Sequence, residues 1–324
     1  MNTTQRTVLT LTAALLTHGP AQATDPMTVS RDDFRIRDPF VLAEDGTYYL
    51  YESKPWSGGR GVAVRTSKDL AHWSEKTPVL ELPSSNACTA VWAPEVHKYD
   101  GAYWLFVTLT FAADAAHPLP SLLQDGFKGG KRQPRGVWVF KSGSPLGPFK
   151  PVKDGSVTPS DWMCLDGTLW VENGQPWMVF CHEWCQTGNG RMMAAPLSRD
   201  LAHFTSEPIE LFRAADAPDA EFVTDGPFLA RTADGDLRMI WSNLVKGHGY
   251  SVLQCVSASG SVRGPWKHLA PLYTRDGGHG MLFRTFGGEL TLTLHQPNTS
   301  PNERMRIYPV EETPTGLKIK PTEQ

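Results

Sequence analysis

The chain repeats one phrase five times, and this repeat is the feature that most restricts its fold. Each copy is an apolar strand, a turn that ends in glycine, and a second strand rich in aromatic and β-branched residues. The turn glycines are Gly46, Gly101, Gly174, Gly235 and Gly288. Successive glycines are 55, 73, 61 and 53 residues apart. A structural unit that recurs at such intervals is typical of repeat architectures such as propellers.

The segments outside these phrases repeat as well. "SKDLAHW" at Ser67 returns as "SRDLAHF" at Ser198, and "SPLGPF" at Ser144 returns as "SVRGPW" at Ser261. Five such units predict an all-β fold, a five-bladed β-propeller with four-stranded antiparallel blades, as a single domain over residues 24–324. A two-sheet sandwich is the alternative, but it would not explain a repeated strand-turn-strand phrase.

Two further features of the propeller are expected. The C-terminal "ERMRIYPVEE" should be a strand of the last blade, and the segment after Met27 should complete the sheet of that blade. The stretch 111–135 is the largest insertion between the repeated phrases, and it is predicted to be a loop over one face.

Length, charge and hydropathy exclude several classes of function. The 324 residues carry a net charge of −3 with mixed signs, so no basic stripe indicates nucleic-acid binding. Beyond the N-terminus no segment has about 18 consecutive apolar residues, so the mature chain is not expected to span a membrane. Arg6, the apolar run after it and Ala21-Gln22-Ala23 follow the pattern of a signal peptide. Residues 1–23 are therefore interpreted as a signal, and the protein as secreted or periplasmic.

The cysteines do not indicate a metal site. In "CHEWC", Cys181, His182 and Cys185 on a strand would not converge on one ion, so buried thiols are the preferred interpretation. The count of five cysteines is odd. One disulfide can form after export, and the sequence leaves the pair open.

Polar residues fall at the same point of every unit. In a propeller blade the inner strand starts at one end of the central channel and the second strand finishes at that end, so these positions share one rim. The inner strands begin at Asp38, Trp92 to Glu95, Asp166, Asp225 and His279. The second strands end at Glu52, Thr108, His182 with Glu183, Asn243 and His295. The candidates for ligand binding on this rim are Trp92, Glu95, His182, Asn243 and His295.

Three inner strands begin with aspartate, and their carboxylates are expected to meet in one pit. An isolated Asp before Pro or Gly is usually a turn residue, but packed carboxylates shift each other's pKa, a cost more typical of functional sites. In inverting glycoside hydrolysis one carboxylate activates water and another protonates the leaving oxygen, at a separation of about 6.5–9.5 Å. The 11 tryptophans suit an aromatic-lined cleft as well as a β-rich core.

Five short motifs occur in an order that resembles a known family. They are "RIRDPFVL", "VWAPEVH", "CLDGTLW", "TDGPFL" and "GGHGM". The sequence is similar to glycoside hydrolase family 43 over about residues 28–315. The resemblance implies a five-bladed inverting glycosidase for polysaccharides or oligosaccharides that contain arabinose, xylose or galactose. It also implies that Asp38 is the general base, that Asp166 orients the proton donor and raises its pKa, and that His279 lies beside one hydrated Ca²⁺ in the channel.

One position departs from the family pattern. The family usually has Glu-Gly-Pro where this chain has Asp225-Gly226-Pro227, so the acid is one methylene shorter. Glu183 ends the second strand of the unit that Asp166 begins, and it is the other candidate for the proton donor. Motif position favours Asp225, which is preferred here with Glu183 as a ligand of substrate or water, whereas the type of side chain favours Glu183.

Two alternatives to this interpretation belong to other classes. One is a non-catalytic sugar-binding propeller, supported only by the missing glutamate. The other is a propeller glycosidase of a related family that acts on anhydro-sugars or fructans. The sequence determines neither the sugar and linkage nor exo or endo action, because specificity depends on the site rather than on the fold. The oligomeric state is equally open.

Overall fold

A computed structural model describes residues 28–56, 59–83, 87–123 and 130–321. In this part of the chain, five four-stranded antiparallel sheets follow one another along the sequence and form a five-bladed β-propeller. The predicted fold class and number of blades are therefore confirmed. The predicted signal peptide, residues 1–23, lies outside the described residues.

Each blade consists of an inner, a second, a third and an outer strand in chain order. Blade one contains Phe40–Glu44, Thr47–Trp56, Gly59–Ser67 and Thr77–Pro83. Blade two contains Cys88–Tyr99, Ala102–Phe111, Arg135–Ser142 and Lys150–Pro151. Blade three contains Cys164–Glu172, Gln175–His182, Arg191–Pro196 and Ile209–Arg213. Blade four contains Asp225–Arg231, Leu237–Val245, Gly249–Ser257 and Trp266–His268. Blade five contains Gly278–Arg284, Leu290–Gln296, Arg304–Thr313 and Gly316–Ile319.

A few short elements lie outside the blades. Thr28–Ser30 pairs antiparallel with His72–Ser74 in a two-stranded sheet. Trp184–Thr187 is a single helical turn, and Ala214–Asp216 is a 3₁₀ turn. The expectation that the segment after Met27 completes the last blade is wrong. This segment pairs with His72–Ser74, which comes between the third and outer strands of blade one in the sequence but belongs to neither. Blade five takes all four of its strands from the C-terminal part of the chain.

Tight hairpins join the inner and second strands of the first three blades. The two residues of each turn are Asp45-Gly46, Asp100-Gly101 and Asn173-Gly174. Both residues of every pair have positive φ, between 47° and 78°, as a type I′ turn requires. Asp, Asn and Gly adopt this conformation more readily than other residues, which is why these hairpins are visible in the sequence.

The hydrophobic core lies between neighbouring blades. Every residue of the second strand Ala102–Phe111 is buried. Blades two and three meet through Trp104, Phe106, Met178 and Phe180, each at most 2% exposed. Because a second strand is covered on both faces, it forms a continuous apolar run rather than an alternating one. Full burial of each such side chain contributes about 1.5–3 kcal/mol.

The ring closes where the chain that leads into blade one meets blade five. Glu303, whose side chain is fully buried, accepts hydrogen bonds from Arg35 at 2.9 Å and Arg37 at 3.2 Å. The hydrogen bond from Arg35 holds the pKa of Glu303 below its usual range. The C-terminal motif forms Arg304–Thr313, the third strand of blade five, and this prediction is confirmed.

Candidate active site

One backbone distortion recurs in all five inner strands, near the strand start in four blades and inside the strand Cys88–Tyr99 in blade two. Asp38, Ala93, Asp166, Gly226 and His279 have φ between 46° and 54°, in the left-handed region that non-glycine residues rarely adopt. In blades two to five a β-bulge shifts the pairing of inner and second strand at this point. Bulges re-aim the side chains beside them, so the same end of the channel receives redirected side chains from every blade.

Two tiers of residues result from this repeated distortion. The left-handed residues form one tier, and the other tier consists of the residues directly before them: Arg37, Trp92, Leu165, Asp225 and Gly278. The sequence suggested three equivalent aspartates, but the position equivalent to Asp38 and Asp166 in blade four belongs to Gly226. Asp225 lies one residue earlier, in the tier of Trp92.

A cavity of about 250 Å³ lies at this end of the channel. Its lining residues are Arg37, Asp38, Trp92, Arg135, Leu165, Asp166, Glu183, Trp184, Asp225, Tyr250 and His279. Every catalytic candidate from the sequence is among them. A larger cavity of about 550 Å³ lies beside blade four, but its lining residues include only one carboxylate, Asp219. The smaller cavity therefore has the chemistry of a glycosidase site, and it is called the pit below.

Asp38 is surrounded by nitrogen-bearing side chains. Its Oδ1 lies 3.3 Å from His295 Nδ1, 3.4 Å from His279 Nδ1 and 3.8 Å from Arg37 Nε. Burial alone would raise the pKa of Asp38, but its polar surroundings, with His279 the strongest influence and Arg37 among the others, outweigh burial and hold this pKa below its usual range. The Asp38 carboxylate is thus ionised at neutral pH and can accept a proton.

Asp166 is a buried carboxylate held from two sides. Its Oδ2 accepts a hydrogen bond from Gly226 N–H at 3.0 Å and lies 3.9 Å from His279 Nδ1. Burial, followed by the charges of Asp225 and Asp38, raises the pKa of Asp166 well above its usual range. Negative charge is therefore costly at this point of the pit.

Asp225 receives a hydrogen bond from the third strand of its own blade. The Tyr250 hydroxyl donates to Asp225 Oδ2 at 3.0 Å. A Cβ atom at Gly278 would lie 2.4 Å from Tyr250 Cε1, so glycine at this position makes room for the ring. Burial raises the pKa of Asp225, although the charge of His279 and the hydrogen bond from Tyr250 oppose this effect.

Glu183 reaches the pit from just beyond the second strand of blade three. Arg135 Nη1 contacts both of its carboxylate oxygens at 2.8 Å, and the side chains are only 5% and 8% exposed for Arg135 and Glu183, respectively. The guanidinium carbon of Arg135 lies 4.4 Å from the ring centroid of Trp92, as in a cation–π contact. The pKa of Glu183 is raised to about 7. Burial is the largest cause, Arg135 opposes it, and the charge of Asp225 adds to it.

The described residues of the 111–135 insertion, 111–123 and 130–135, lie on the face that carries the pit and form no strand between 112 and 134, in agreement with the predicted loop. Among its described residues, Leu123 donates its N–H to the Gln186 carbonyl, and the Ser121 carbonyl accepts a hydrogen bond from Gln186 Nε2. Gln186 belongs to the helical turn that follows Glu183, so the insertion supports the wall of the pit.

Three residues assigned to sugar binding do not line the pit. Glu95 is buried and bonded to His97 at 2.9 Å, beyond the bulge of its strand. His182 is 1% exposed and stacked on Trp162, with ring centroids 4.2 Å apart. Asn243 is fully buried and holds the backbone of the loop that leads into blade four. The three side chains are used for packing and hydrogen bonding within the protein, so their role in sugar binding stays a prediction.

Two second-strand residues instead support the catalytic candidates. His295, also assigned to sugar binding, is fully buried and its Nδ1 accepts the backbone N–H of Asp38 at 3.2 Å. In the same way, Thr108 Oγ1 accepts the backbone N–H of Asp166 at 2.9 Å. Both hydrogen bonds hold the left-handed backbone from which the aspartates project.

The sequence missed five of the residues that line the pit, namely Arg37, Leu165, Trp184, Arg135 and Tyr250. The first three directly precede or follow motif carboxylates, so their proximity was visible in the motifs. Arg135 and Tyr250 lie at the starts of third strands. No motif marks these positions, and only the path of the chain through blades two and four brings them to the pit.

The described residues also show the state of the cysteines and the distribution of possible metal ligands. No disulfide joins any two of the five cysteines, and all five are buried. No group of three or more His, Cys, Asp or Glu side chains in this part of the chain is arranged to hold a metal ion. Within the same residues, no helix is long and apolar enough to cross a membrane.

The classification rests on a comparison with known families. A model of the glycosyl hydrolases family 43 matches residues 33–316. The chain belongs to glycosyl hydrolase family 43. This family-43 protein is therefore a glycosidase with a carbohydrate substrate, and the pit provides the carboxylates that such an enzyme needs. No curated protein matches the chain.

Solved structures share the family-43 propeller. An endo-arabinase from Bacteroides thetaiotaomicron VPI-5482 is 35% identical with a TM-score of 0.78, over 89% of this chain and 99% of that one. An endo-1,4-beta-xylanase from the same organism is 21% identical with a TM-score of 0.71, over 91% and 97% of the two chains. An alpha-L-arabinofuranosidase from Lactobacillus brevis is 17% identical with a TM-score of 0.69, over 89% and 96%. The last two comparisons show the fold alone.

Proposed function

We propose that this family-43 enzyme hydrolyses arabinose-containing polysaccharide or oligosaccharide of plant type by an inverting mechanism. The observation that carries the proposal is the shared pit, in which an ionised Asp38 faces protonatable carboxylates from two other blades. The similarity to an endo-arabinase at 35% identity favours arabinose over xylose and galactose.

In this mechanism Asp38 is the general base. It takes the proton of a water molecule as the water oxygen attacks the anomeric carbon, while a carboxylic acid from another blade protonates the leaving oxygen. Asp166 is a positioning residue, because its buried carboxylate accepts the backbone N–H of Gly226 at 3.0 Å and fixes the start of the inner strand of blade four. The cavity of about 250 Å³ provides the space for sugar and water between these groups.

Trp92 is proposed to hold the sugar ring. Its side chain is among the few large hydrophobic ones that are exposed, at 37%. Arg135 packs on the ring and restricts its orientation. An aromatic face of this kind packs against the apolar face of a sugar at a small entropic cost.

A panel of substrates tests the proposed activity. The panel consists of linear arabinan and the 4-nitrophenyl α-L-arabinofuranoside, β-D-xyloside and β-D-galactoside. We expect the kcat/KM for the arabinose substrates to be at least about tenfold higher than for the others. This ratio corresponds to about 1.4 kcal/mol of difference in transition-state binding. NMR of the first products should show the anomer opposite to that of the substrate. A faster reaction on xylosides or galactosides contradicts the proposed sugar, and a retained anomer contradicts inversion.

We also propose that His279 holds one hydrated Ca²⁺. Its Nδ1 faces the carboxylates of Asp38 and Asp166, which places the ring proton there and leaves Nε2 able to bind a metal. Calcium prefers oxygen ligands, and the described residues form no cluster of three protein ligands, so water would complete the coordination. The ion would add positive charge on the side of the His279 ring that faces away from the two aspartates.

Removal of metal tests the calcium proposal. We expect the purified protein to contain about one equivalent of calcium, and a chelator to lower kcat by on the order of tenfold and to lower the melting temperature. The variant His279→Gln should lose the ion, whereas His248→Gln, at an exposed position, should keep it. A protein free of calcium whose activity and melting temperature are unchanged by chelator contradicts this proposal.

Export stays a prediction from the sequence pattern, since residues 1–23 lie outside the described part of the chain. Secretion or periplasmic location is nevertheless consistent with the proposed substrate, because a polysaccharide is encountered outside the cell membrane.

A further inference from the structure

We infer that Glu183, rather than the residue in the usual acid position of the family, donates the proton to the leaving group. The inference rests on the proposed inverting hydrolysis and names the one participant that the sequence left undecided. Two carboxylates compete for this role, Asp225 in the motif position and Glu183 from the neighbouring blade, and both line the pit. Their surroundings differ.

Asp225 is held by its own blade. Its Oδ2 accepts the Tyr250 hydroxyl at 3.0 Å, and it is one methylene shorter than the glutamate usual in the family. A carboxylate that already accepts a hydrogen bond and lies beside a second buried carboxylate, Asp166, is suited to receive a sugar hydroxyl. The described geometry therefore makes Asp225 a binding residue for the substrate.

Glu183 has the partner that a proton donor needs after it has reacted. Arg135 Nη1 lies 2.8 Å from both carboxylate oxygens, and the contact of Arg135 with Trp92 holds the guanidinium in place. When Glu183 loses its proton, Arg135 stabilises the new negative charge in a site that is otherwise shielded from water. Asp225 accepts only a neutral hydroxyl from its nearest donor.

The charges that face Glu183 come from several elements. The charged groups are Arg135 of blade two and Asp225 of blade four, whereas Cys185, in the helical turn after Glu183, and Cys164, at the start of the inner strand of blade three, are thiols whose pKa is raised by burial. Burial raises the pKa of Glu183 to about 7, and Arg135 is the largest opposing influence. A donor with this pKa is substantially protonated near neutral pH. General acid catalysis is most efficient when the pKa of the donor is close to the pH at which the enzyme works.

The proposed step conserves atoms and charge. The water oxygen forms a bond to the anomeric carbon, and the bond from this carbon to the leaving oxygen breaks. Asp38 receives the proton of the water, and Glu183 gives its proton to the leaving oxygen. Both residues then exchange protons with solvent to return to their starting states, so that water is the only co-reactant.

Substrates with different leaving groups test the inference. The probes are an arabino-oligosaccharide, whose leaving group needs a proton, and 2,4-dinitrophenyl α-L-arabinofuranoside, whose leaving group does not. We expect Glu183→Gln to lose about 10²–10⁴-fold in kcat/KM on the oligosaccharide but to stay within about tenfold of the original enzyme on the aryl substrate. Asp225→Asn should lose activity equally on both. Rescue of Asp225→Asn and not of Glu183→Gln by the aryl substrate overturns the inference.

A pH profile provides a second readout. Activity on the oligosaccharide should fall as the pH rises through the pKa of Glu183, about 7, because the ionised form cannot donate. Arg135 lowers this pKa, so Arg135→Met should move the alkaline limit to higher pH. Glu183→Gln should show no alkaline limit of this origin. An alkaline limit that is unchanged in both variants contradicts the assignment.

Two controls separate the possible failures. Glu172→Gln makes the same change at the opposite end of the inner strand in blade three, where Glu172 binds Ser261, and it should behave as the unmodified enzyme. If Glu183→Gln does not fold, Glu183→Asp keeps the charge of the site but withdraws the acid by one methylene, and its loss of activity should again be confined to the oligosaccharide. An unmodified enzyme inactive on every sugar in the panel refutes the proposed function, whereas an active enzyme without leaving-group dependence in Glu183→Gln refutes only the donor.

Discussion

Replacement of Asp38 by asparagine is expected to lower kcat/KM by about 10³–10⁴-fold while leaving the fold intact. The amide cannot accept the proton of the attacking water, which removes general base catalysis. Asparagine also tolerates the left-handed backbone at this position, where φ is 52°, so the strand should begin as before. Steady-state kinetics on arabino-oligosaccharides measures the first effect, and thermal unfolding by circular dichroism measures the second.

A matched control for this variant is Asp45→Asn. Asp45 also has positive φ, 47°, but it lies exposed in the first hairpin, away from the pit. Its replacement should leave kcat/KM and the melting temperature unchanged. If the folded Asp38→Asn protein retains activity within about tenfold of the original enzyme, Asp38 is not the base.

Deletion of residues 303–324 is expected to abolish cooperative folding. The deletion removes the third and outer strands of blade five, with the buried side chains of Met305, Val310 and Leu317. It also uncovers Leu292 and Leu294, which are fully buried on the second strand. Five such side chains at about 1.5–3 kcal/mol each are comparable with the whole stability of a typical domain, about 5–15 kcal/mol. Calorimetry or denaturant titration should show no cooperative transition.

The substitution Glu303→Gln shows how much of the lost stability comes from the polar contacts that close the ring and how much from the deleted strands. It keeps blade five whole but removes the negative charge that Arg35 and Arg37 contact. We expect a loss of about 2 kcal/mol with cooperativity preserved. Because the pKa of Glu303 is lowered in the folded state, its contribution is complete above the ordinary pKa of glutamate and is lost as the pH falls below it. A truncated protein as stable as the complete chain would show that the ring does not close at this point.

Sequence periodicity was sufficient for the fold because its signals are local. A hairpin such as Asn173-Gly174 requires residues that accept positive φ, and a buried second strand such as Ala102–Phe111 requires a continuous apolar run. Both requirements are met within about ten neighbouring residues. The closure of the ring was not predicted correctly, because Thr28–Ser30 pairs with His72–Ser74 in a separate sheet, and a pairing between segments so far apart in the chain leaves no local pattern.

The same locality explains which site residues were found. Asp38, Asp166 and His279 occupy the repeated start of an inner strand, so the repeat that revealed the blades also placed them together. Glu95 and Asn243 lie at or near the same ends of strands, yet one lies beyond a bulge and the other binds a loop. Each residue of irregular backbone changes the side to which the next side chain points, and the sequence does not reveal where that occurs.

The sequence by itself thus determined the five blades, the end of the channel that holds the carboxylates, and the family. Only the tertiary structure decided how those carboxylates differ. Glu183 meets Arg135, 48 residues earlier in the chain, whereas Asp225 meets Tyr250. The proton affinity of a carboxylate depends on burial and on charges a few ångströms away, and in a propeller those charges come from other strands and other blades, at distances along the chain that no local pattern encodes.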